Sequence, residues 1–304
     1  MLPMALDGAR PGKFNVSRAS TGCPILRGFG TARLTPAIQP QRPYTVLRAR
    51  QKLGKYRIER RLSDGPLAAV YQAFDTIHGL RVALKIPHRR MMDDYFLADF
   101  RKEVRVLAKL DHPNILPIQN ACFIDGYFVI SMPLGIDTLG ARLQRRISTA
   151  KALDFTHQIL SAVAHAHEER IIHCDIKPDN FILFPDNVLR LADFGFSKLA
   201  KQRIEASGSG TVGYVAPEQA MGRPVLASDV FSVGLVLYRM LAGTLPRWPY
   251  DWPPPGAARL RQKLHPDMVD LIRCAIAVKP TRRFRDGIRM LDAFEQIRQP
   301  AARR

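Results

Sequence analysis

"HCDIKPDN", residues 173–180, gathers two acids, a lysine, a histidine and an asparagine into eight positions. Asp175, Lys177 and Asn180 stand at spacings of two and five. Side chains on one helix face recur at three and four, so this spacing predicts a tight loop aiming all three at one point. A carboxylate there can accept a proton from a hydroxyl. An ammonium can neutralise a phosphoryl group in transfer, and an amide oxygen can hold a hard cation such as Mg2+.

Working outward, Asp193-Phe194-Gly195 follows the strand-like run VLRLA, residues 188–192. A carboxylate at a strand end, before a flexible glycine, suits a second Mg2+ ligand. Ala216-Pro217-Glu218 lies further on. Upstream, Lys85 closes VALK, and Glu103 sits within residues 95–110, whose apolar positions 96, 97, 100, 104, 107, 108 and 110 make a helical stripe. Two strands are expected over residues 56–75 around Asp64-Gly65-Pro66, a third over 81–87, and a hairpin over 121–132. Beyond about residue 136 the pattern becomes helical. Phe155, Ile159, Leu160 and Val163 share a face, residues 227–243 are apolar almost all round, and helices are expected in 266–278 and 286–299. The architecture implied is α+β, a small sheet-rich part before a larger helical one, with a ligand cleft between them.

In order, VALK, the helix Glu, HPNI, HxDxKxxN, DFG and GTxGYxAPE resemble the eukaryotic-type (Hanks-type) protein kinases, of the serine/threonine sort found in bacteria. The resemblance runs from residue 56 to about 298. It implies the bilobal kinase fold: a kinase domain over 55–298, with an N-lobe over 55–133 and a C-lobe over 134–298, then a tail over 299–304. It also implies Mg2+-dependent transfer of the ATP γ-phosphoryl to a protein Ser or Thr. Lys85 would contact ATP phosphates and pair with Glu103, Asp175 would be the base, and Lys177 would steady the moving phosphoryl. Asn180 and Asp193 would hold Mg2+. Gly65, Leu67, Ala68 and Val70 would cover the nucleotide. Val70, Ala83 and Ile182 would sandwich adenine, and Ile130 would gate its pocket. Glu218 would pair with Arg283, and Asp229 would anchor the catalytic loop. Leu107, Ile118, His173 and Phe194 match an apolar column joining the lobes. Thr211 would help shape the acceptor site, and Ser207, Ser209 and Thr211 are candidate autophosphorylation sites. Asp179 reads as a solvated loop acid or as a reader of basic substrate residues.

Two departures stand out. Cys174 occupies a position where the family often has an arginine that grips a phosphorylated activation segment. A thiol offers no charged fork, so less dependence on such phosphorylation is expected. The phosphate loop, GxGxxGxV in the family, reads Ser63-Asp64-Gly65-Pro66-Leu67-Ala68-Ala69-Val70 here. Only the middle glycine remains, and Pro66 has no N–H to donate, so weaker ATP binding is expected. The alternative to an active enzyme is a nucleotide-binding pseudokinase acting as scaffold or allosteric regulator.

The balance of 46 Lys+Arg against 27 Asp+Glu gives a net charge of +19. Residues 1–55 hold ten basic residues and one acid, Asp7, a share of +9. Residues 1–54, with six prolines and six glycines, are expected to form a disordered basic extension, able to touch nucleic acid or anionic membrane. Cys23, Cys122, Cys174 and Cys274 form no CxxC pair, which speaks against zinc and a disulfide framework. No run approaches a membrane span, so a cytoplasmic location is expected.

Overall fold

The computed structural model describes residues 46–88, 98, 101, 104–194 and 213–301. Glu103, Gly195, Ser207, Ser209, Thr211, Cys23 and residues 1–45 of the basic arm lie outside the described residues.

A six-stranded antiparallel sheet forms the N-lobe. Its strands are β1 (Lys52–Leu53), β2 (Tyr56–Asp64), β3 (Ala68–Asp75), β4 (Leu80–Pro87), β5 (Asn120–Ile124) and β6 (Tyr127–Pro133), in the order β1-β2-β3-β4-β6-β5. Alternation gives the sheet two faces. Ala69, Tyr71, Ala73, Val82, Leu84 and Ile86 pack one of them into a core with Tyr56 and Ile58. Leu47 is buried in that same core, and Arg50 N–H bonds to Ile58 O at 2.8 Å. The folded chain therefore begins upstream of the 54/55 boundary expected from sequence. One apolar anchor is enough to hold the segment to the sheet, and it is too little to register as a period.

The C-lobe is helical. It comprises α1 (Leu139–Arg142), α2 (Thr149–Glu168), α3 (Pro217–Ala220), α4 (Leu226–Ala242), α5 (Ala257–Lys263), α6 (Pro266–Ala275) and α7 (Gly287–Ala301). Ser148 caps α2, its side chain accepting from Lys151 N. The face carrying Phe155, Ile159, Leu160 and Val163 is buried. Helix α4 is the axle of the lobe, buried along nearly its whole length. It ends where Gly243 adopts a left-handed conformation (φ 76°) and returns its N–H to Arg239 O. A small sheet of β7 (Asp137–Thr138), β8 (Phe181–Leu183) and β9 (Leu189–Leu191) forms the roof of the lobe. The HPNI segment is stitched to that roof. Leu116 N–H bonds to Leu191 O at 2.9 Å, Leu191 N–H to Asn114 O at 2.8 Å, and the Asn114 amide to Leu189 O at 2.9 Å.

Candidate active site

The register across β3, β4 and β6 assembles the upper wall. Lys85 pairs with Val70 on one side and Ile130 on the other, and Ala83 pairs with Met132. Paired residues, and residues two apart, share a face. Val70, Ala83, Lys85 and Ile130 therefore line the face opposite the N-lobe core. Ile182 comes from below on β8. It packs against Gly135 in the linker between the lobes, where a Cβ would collide with it.

Lys85 crosses to the C-lobe. Its Nζ donates to Asp193 Oδ1 at 2.6 Å, joining residues 108 positions apart. Burial alone would raise the Asp193 carboxyl, but Lys85, then His173 and Lys177, outweigh it and hold the group below the ordinary carboxylate value. The side chain still opens to solvent over 41% of its surface. Asp193 is left-handed at φ 64°, a conformation that the surrounding bonds must hold.

The loop from His173 to Asn180 hangs from α4. Asp229, in the first turn of that helix and fully buried, accepts from His173 N at 2.6 Å through Oδ2 and from Cys174 N at 2.9 Å through Oδ1. Buried His167 adds a third bond, Nε2 to Asp229 Oδ2 at 3.1 Å, while its Nδ1 accepts from Gly287 N. His173 bonds through Nε2 to Ala192 O at 2.9 Å, and its ring meets Phe194 edge-on at 4.6 Å. Leu107 packs against the core cluster that holds Phe194, whereas Ile118 packs beside Phe128 and Ile130. Asp175 Oδ2 accepts from Lys177 Nζ at 2.9 Å and from the Asn180 amide at 3.0 Å. Carboxylate, ammonium and amide thus converge in one place, as the spacing predicts.

The donor set for Mg2+ follows. The amide nitrogen of Asn180 is spent on Asp175, leaving its oxygen as the free end. Ala192 N–H bonds to Asn180 O at 2.8 Å, which brings Asn180 next to Asp193. Two hard oxygens there, from Asn180 and Asp193, would suit Mg2+. Among the described residues no group of three His, Cys, Asp or Glu side chains is suited to a metal, and this donor pair does not require one.

Glu218 and Arg283 form the second pair across the sequence, at 2.7 and 3.0 Å. All five guanidinium N–H groups are used: the others go to Ala277 O, Ala227 O and Val278 O. Burial pushes the Glu218 carboxyl up, but Arg283 and Ser228 win and hold it below its usual value.

Residues 56–285 match the protein kinase domain. The chain belongs to the protein kinase family. The match covers three quarters of the molecule, and solved kinases agree with it. The crystal structure of the Mycobacterium tuberculosis PknI kinase domain superposes with a TM-score of 0.64 at 25% identity, over 83% of this chain and 99% of that one. Among curated relatives, the serine/threonine-protein kinase PknA of Mycobacterium tuberculosis is 32% identical over 270 residues. That alignment spans 81% of this chain and 62% of PknA. PrkC of Bacillus subtilis is 35% identical over 204 residues, 64% of this chain and 31% of the relative. This kinase chain therefore spans less than two thirds of the length of these curated relatives. Its fold is bilobal, like that of the bacterial kinase domain it superposes on, and no described helix is long and apolar enough to cross a membrane.

Sequence reasoning missed Gln219. Cys174 is left-handed at φ 62° and half-buried. Its N–H is fixed by Asp229, and its carbonyl accepts from Gln219 Nε2 at 2.6 Å. Gln219 itself is buried, and among the described residues its Oε1 has no hydrogen-bond partner. The kinase loop is thus pinned on both sides of the residue preceding Asp175. The only signal in the sequence is that Gln219 adjoins Glu218, and residue type does not announce a bond across 45 positions. Gln219→Met, which keeps length and loses the amide, is expected to lower kcat about tenfold with the KM for ATP unchanged. Steady-state kinetics that leave kcat at the wild-type value would remove this role.

Proposed function

We propose that the protein is a Mg2+- and ATP-dependent kinase that phosphorylates serine or threonine in proteins. The single observation that carries the reading is the bond from Lys85 to Asp193, which brings a sheet lysine and a C-lobe carboxylate to one point beside Asp175 and Asn180. Val70, Ala83, Ile130 and Ile182 would enclose the adenine, with Gly65, Leu67 and Ala68 above the phosphates. Lys85 would hold the α/β-phosphates and Glu103 would support it. Asn180 and Asp193 would hold Mg2+, which when bound neutralises phosphate charge and orients the terminal group. Asp175 would accept the proton of the acceptor hydroxyl. Lys177, 2.9 Å from that carboxylate, would balance the charge of the moving phosphoryl. Catalysis is then mostly alignment and charge stabilisation. A protein with Ser or Thr acceptors is the partner, autophosphorylation at Ser207, Ser209 or Thr211 belongs to the same proposal, and so does a cytoplasmic location. The basic arm over residues 1–54 remains a candidate contact for nucleic acid or anionic membrane.

The phosphate loop supports a reduced affinity for ATP. Gly65 N–H is spent on Ala68 O at 3.0 Å, and His88 clamps the turn through Leu67 O at 2.8 Å and Gly65 O at 2.8 Å. Pro66 at the tip has no N–H. Pro66→Gly is expected to tighten ATP binding several-fold, roughly the worth of one added hydrogen bond. Calorimetric titration with Mg2+ and ATP measures it, and an unchanged affinity would refute the explanation. Incubating the purified protein with Mg2+ and ATP, followed by mass spectrometry, tests the function directly. An absence of added phosphate on the chain or on any protein substrate would leave the pseudokinase reading in its place.

A further inference from the structure

Among the described residues, one cation near the catalytic loop has no counter-charge. Arg239 lies half-buried in the last turn of α4. The helix end favours a positive charge there, which accounts for the sign but not for the direction in which the side chain points. Its Nη1 donates to the hydroxyl of Tyr214 at 2.7 Å, and among the described residues no carboxylate pairs with it.

Tyr214 ties that guanidinium to the neighbourhood of the catalytic loop, five residues before Gln219, which bonds to Cys174 O. It directly follows Gly213 in GTVGY, and its main-chain oxygen accepts from Ser232 Oγ at 2.7 Å. Its hydroxyl feels Arg239 on one side and the charge of Asp179, in HCDIKPDN, on the other. Asp179 does not serve as the missing partner. Its carboxylate is tucked against Gly140 of α1, where a Cβ would collide with it. The segment after α1, the helix against which Asp179 packs, adds exposed Arg145 and Arg146. A half-buried guanidinium that spends one N–H on a neutral hydroxyl keeps the rest of its planar fork for an anion.

We propose that Arg239 is a specificity-determining residue that binds an anionic side chain, a carboxylate in the first instance, on the protein substrate a few residues from the acceptor hydroxyl. The inference rests on the kinase reading and deepens it by naming the substrate class: acidic sequences around Ser or Thr. A carboxylate engages the fork through two parallel bonds, the geometry that arginine offers and lysine lacks.

The test is a positional-scanning set of peptides, each with one Ser or Thr acceptor, assayed with Mg2+ and ATP on the full chain. Asp or Glu at one defined position is expected to raise kcat/KM about tenfold or more over Ala. Arg239→Glu should move the preference at that same position to Lys or Arg, and Arg239→Lys should keep a weaker acidic preference. Phosphoserine placed there separates the two sources of negative charge. A gain above that of Glu identifies a previously phosphorylated substrate, and an equal or smaller gain identifies a plain acidic one. A flat wild-type profile overturns the inference. An acidic preference that survives in folded Arg239→Glu does so too. If Arg239→Glu does not fold, the wild-type profile and Arg239→Lys still decide. An active enzyme with a flat profile sinks this inference alone, whereas a wild type that phosphorylates nothing sinks the kinase reading with it.

Discussion

Asp175→Asn is expected to lower the phosphotransfer rate by about 10²–10⁴-fold, with ATP affinity little changed. The substitution preserves shape and the oxygen facing Lys177 and Asn180, both within 3.0 Å of Asp175 Oδ2. What it removes is the charge proposed to take up the hydroxyl proton. The loop keeps its suspension, since Asp229 holds the main chain of His173 and Cys174 rather than the Asp175 side chain. Fold and nucleotide site therefore survive, and the deficit falls on kcat. A radiolabel or mass-spectrometric assay on matched preparations measures it. Equal incorporation by wild type and variant would mean that the signal comes from a contaminating enzyme.

Arg283→Met is expected to cost about 3–5 kcal/mol of stability, the range for removing one partner of a buried ion pair. The Arg283 side chain is 0% exposed and that of Glu218 15%. Deleting the guanidinium removes five hydrogen bonds at once and leaves the Glu218 carboxylate with Ser228 Oγ, 2.6 Å from Oε1, and its own backbone N–H. Urea unfolding of both proteins gives the difference, and a loss below about 1 kcal/mol, the scale of exposed pairs, would contradict the assignment. The pH dependence supplies a sign. Glu218 titrates below its ordinary value in the folded protein. The stability it contributes is therefore complete above about pH 4.3, the unfolded value, and is lost as the pH falls through the depressed folded one. The gap between wild type and Arg283→Met should be wide at neutrality and close in acid.

Much of this was legible in the sequence because motif spacing encodes local geometry. Asp175, Lys177 and Asn180 meet because a loop of eight residues cannot keep them far apart. The strands at 56–64, 68–75 and 80–87 follow from alternation and from the turn at Asp64-Gly65-Pro66. Lys85 and Asp193 needed the family resemblance, since nothing local relates positions 108 apart. Leu47, Gln219 and Arg239 escaped for a shared physical reason. Each acts through one long-range contact, and one contact leaves no period and no composition. Arg239 reads as an ordinary cation at a helix end until Tyr214 shows where it points.

The stitching of HPNI to the C-lobe roof has a mechanical consequence. Leu116 is bonded downward to Leu191, but Gln119 is bonded upward, its N–H meeting Ser131 O at 2.8 Å. The chain passes between the halves again just before Ile136, whose N–H reaches Leu183 O at 2.8 Å. Pro117-Ile118 and Leu134-Gly135 are thus two dipeptide links between the halves. Two short links permit a nodding motion about the line through them and oppose sideways sliding. Opening the cleft should therefore be a rotation, with the ring of Pro117 stiffening one of its bearings.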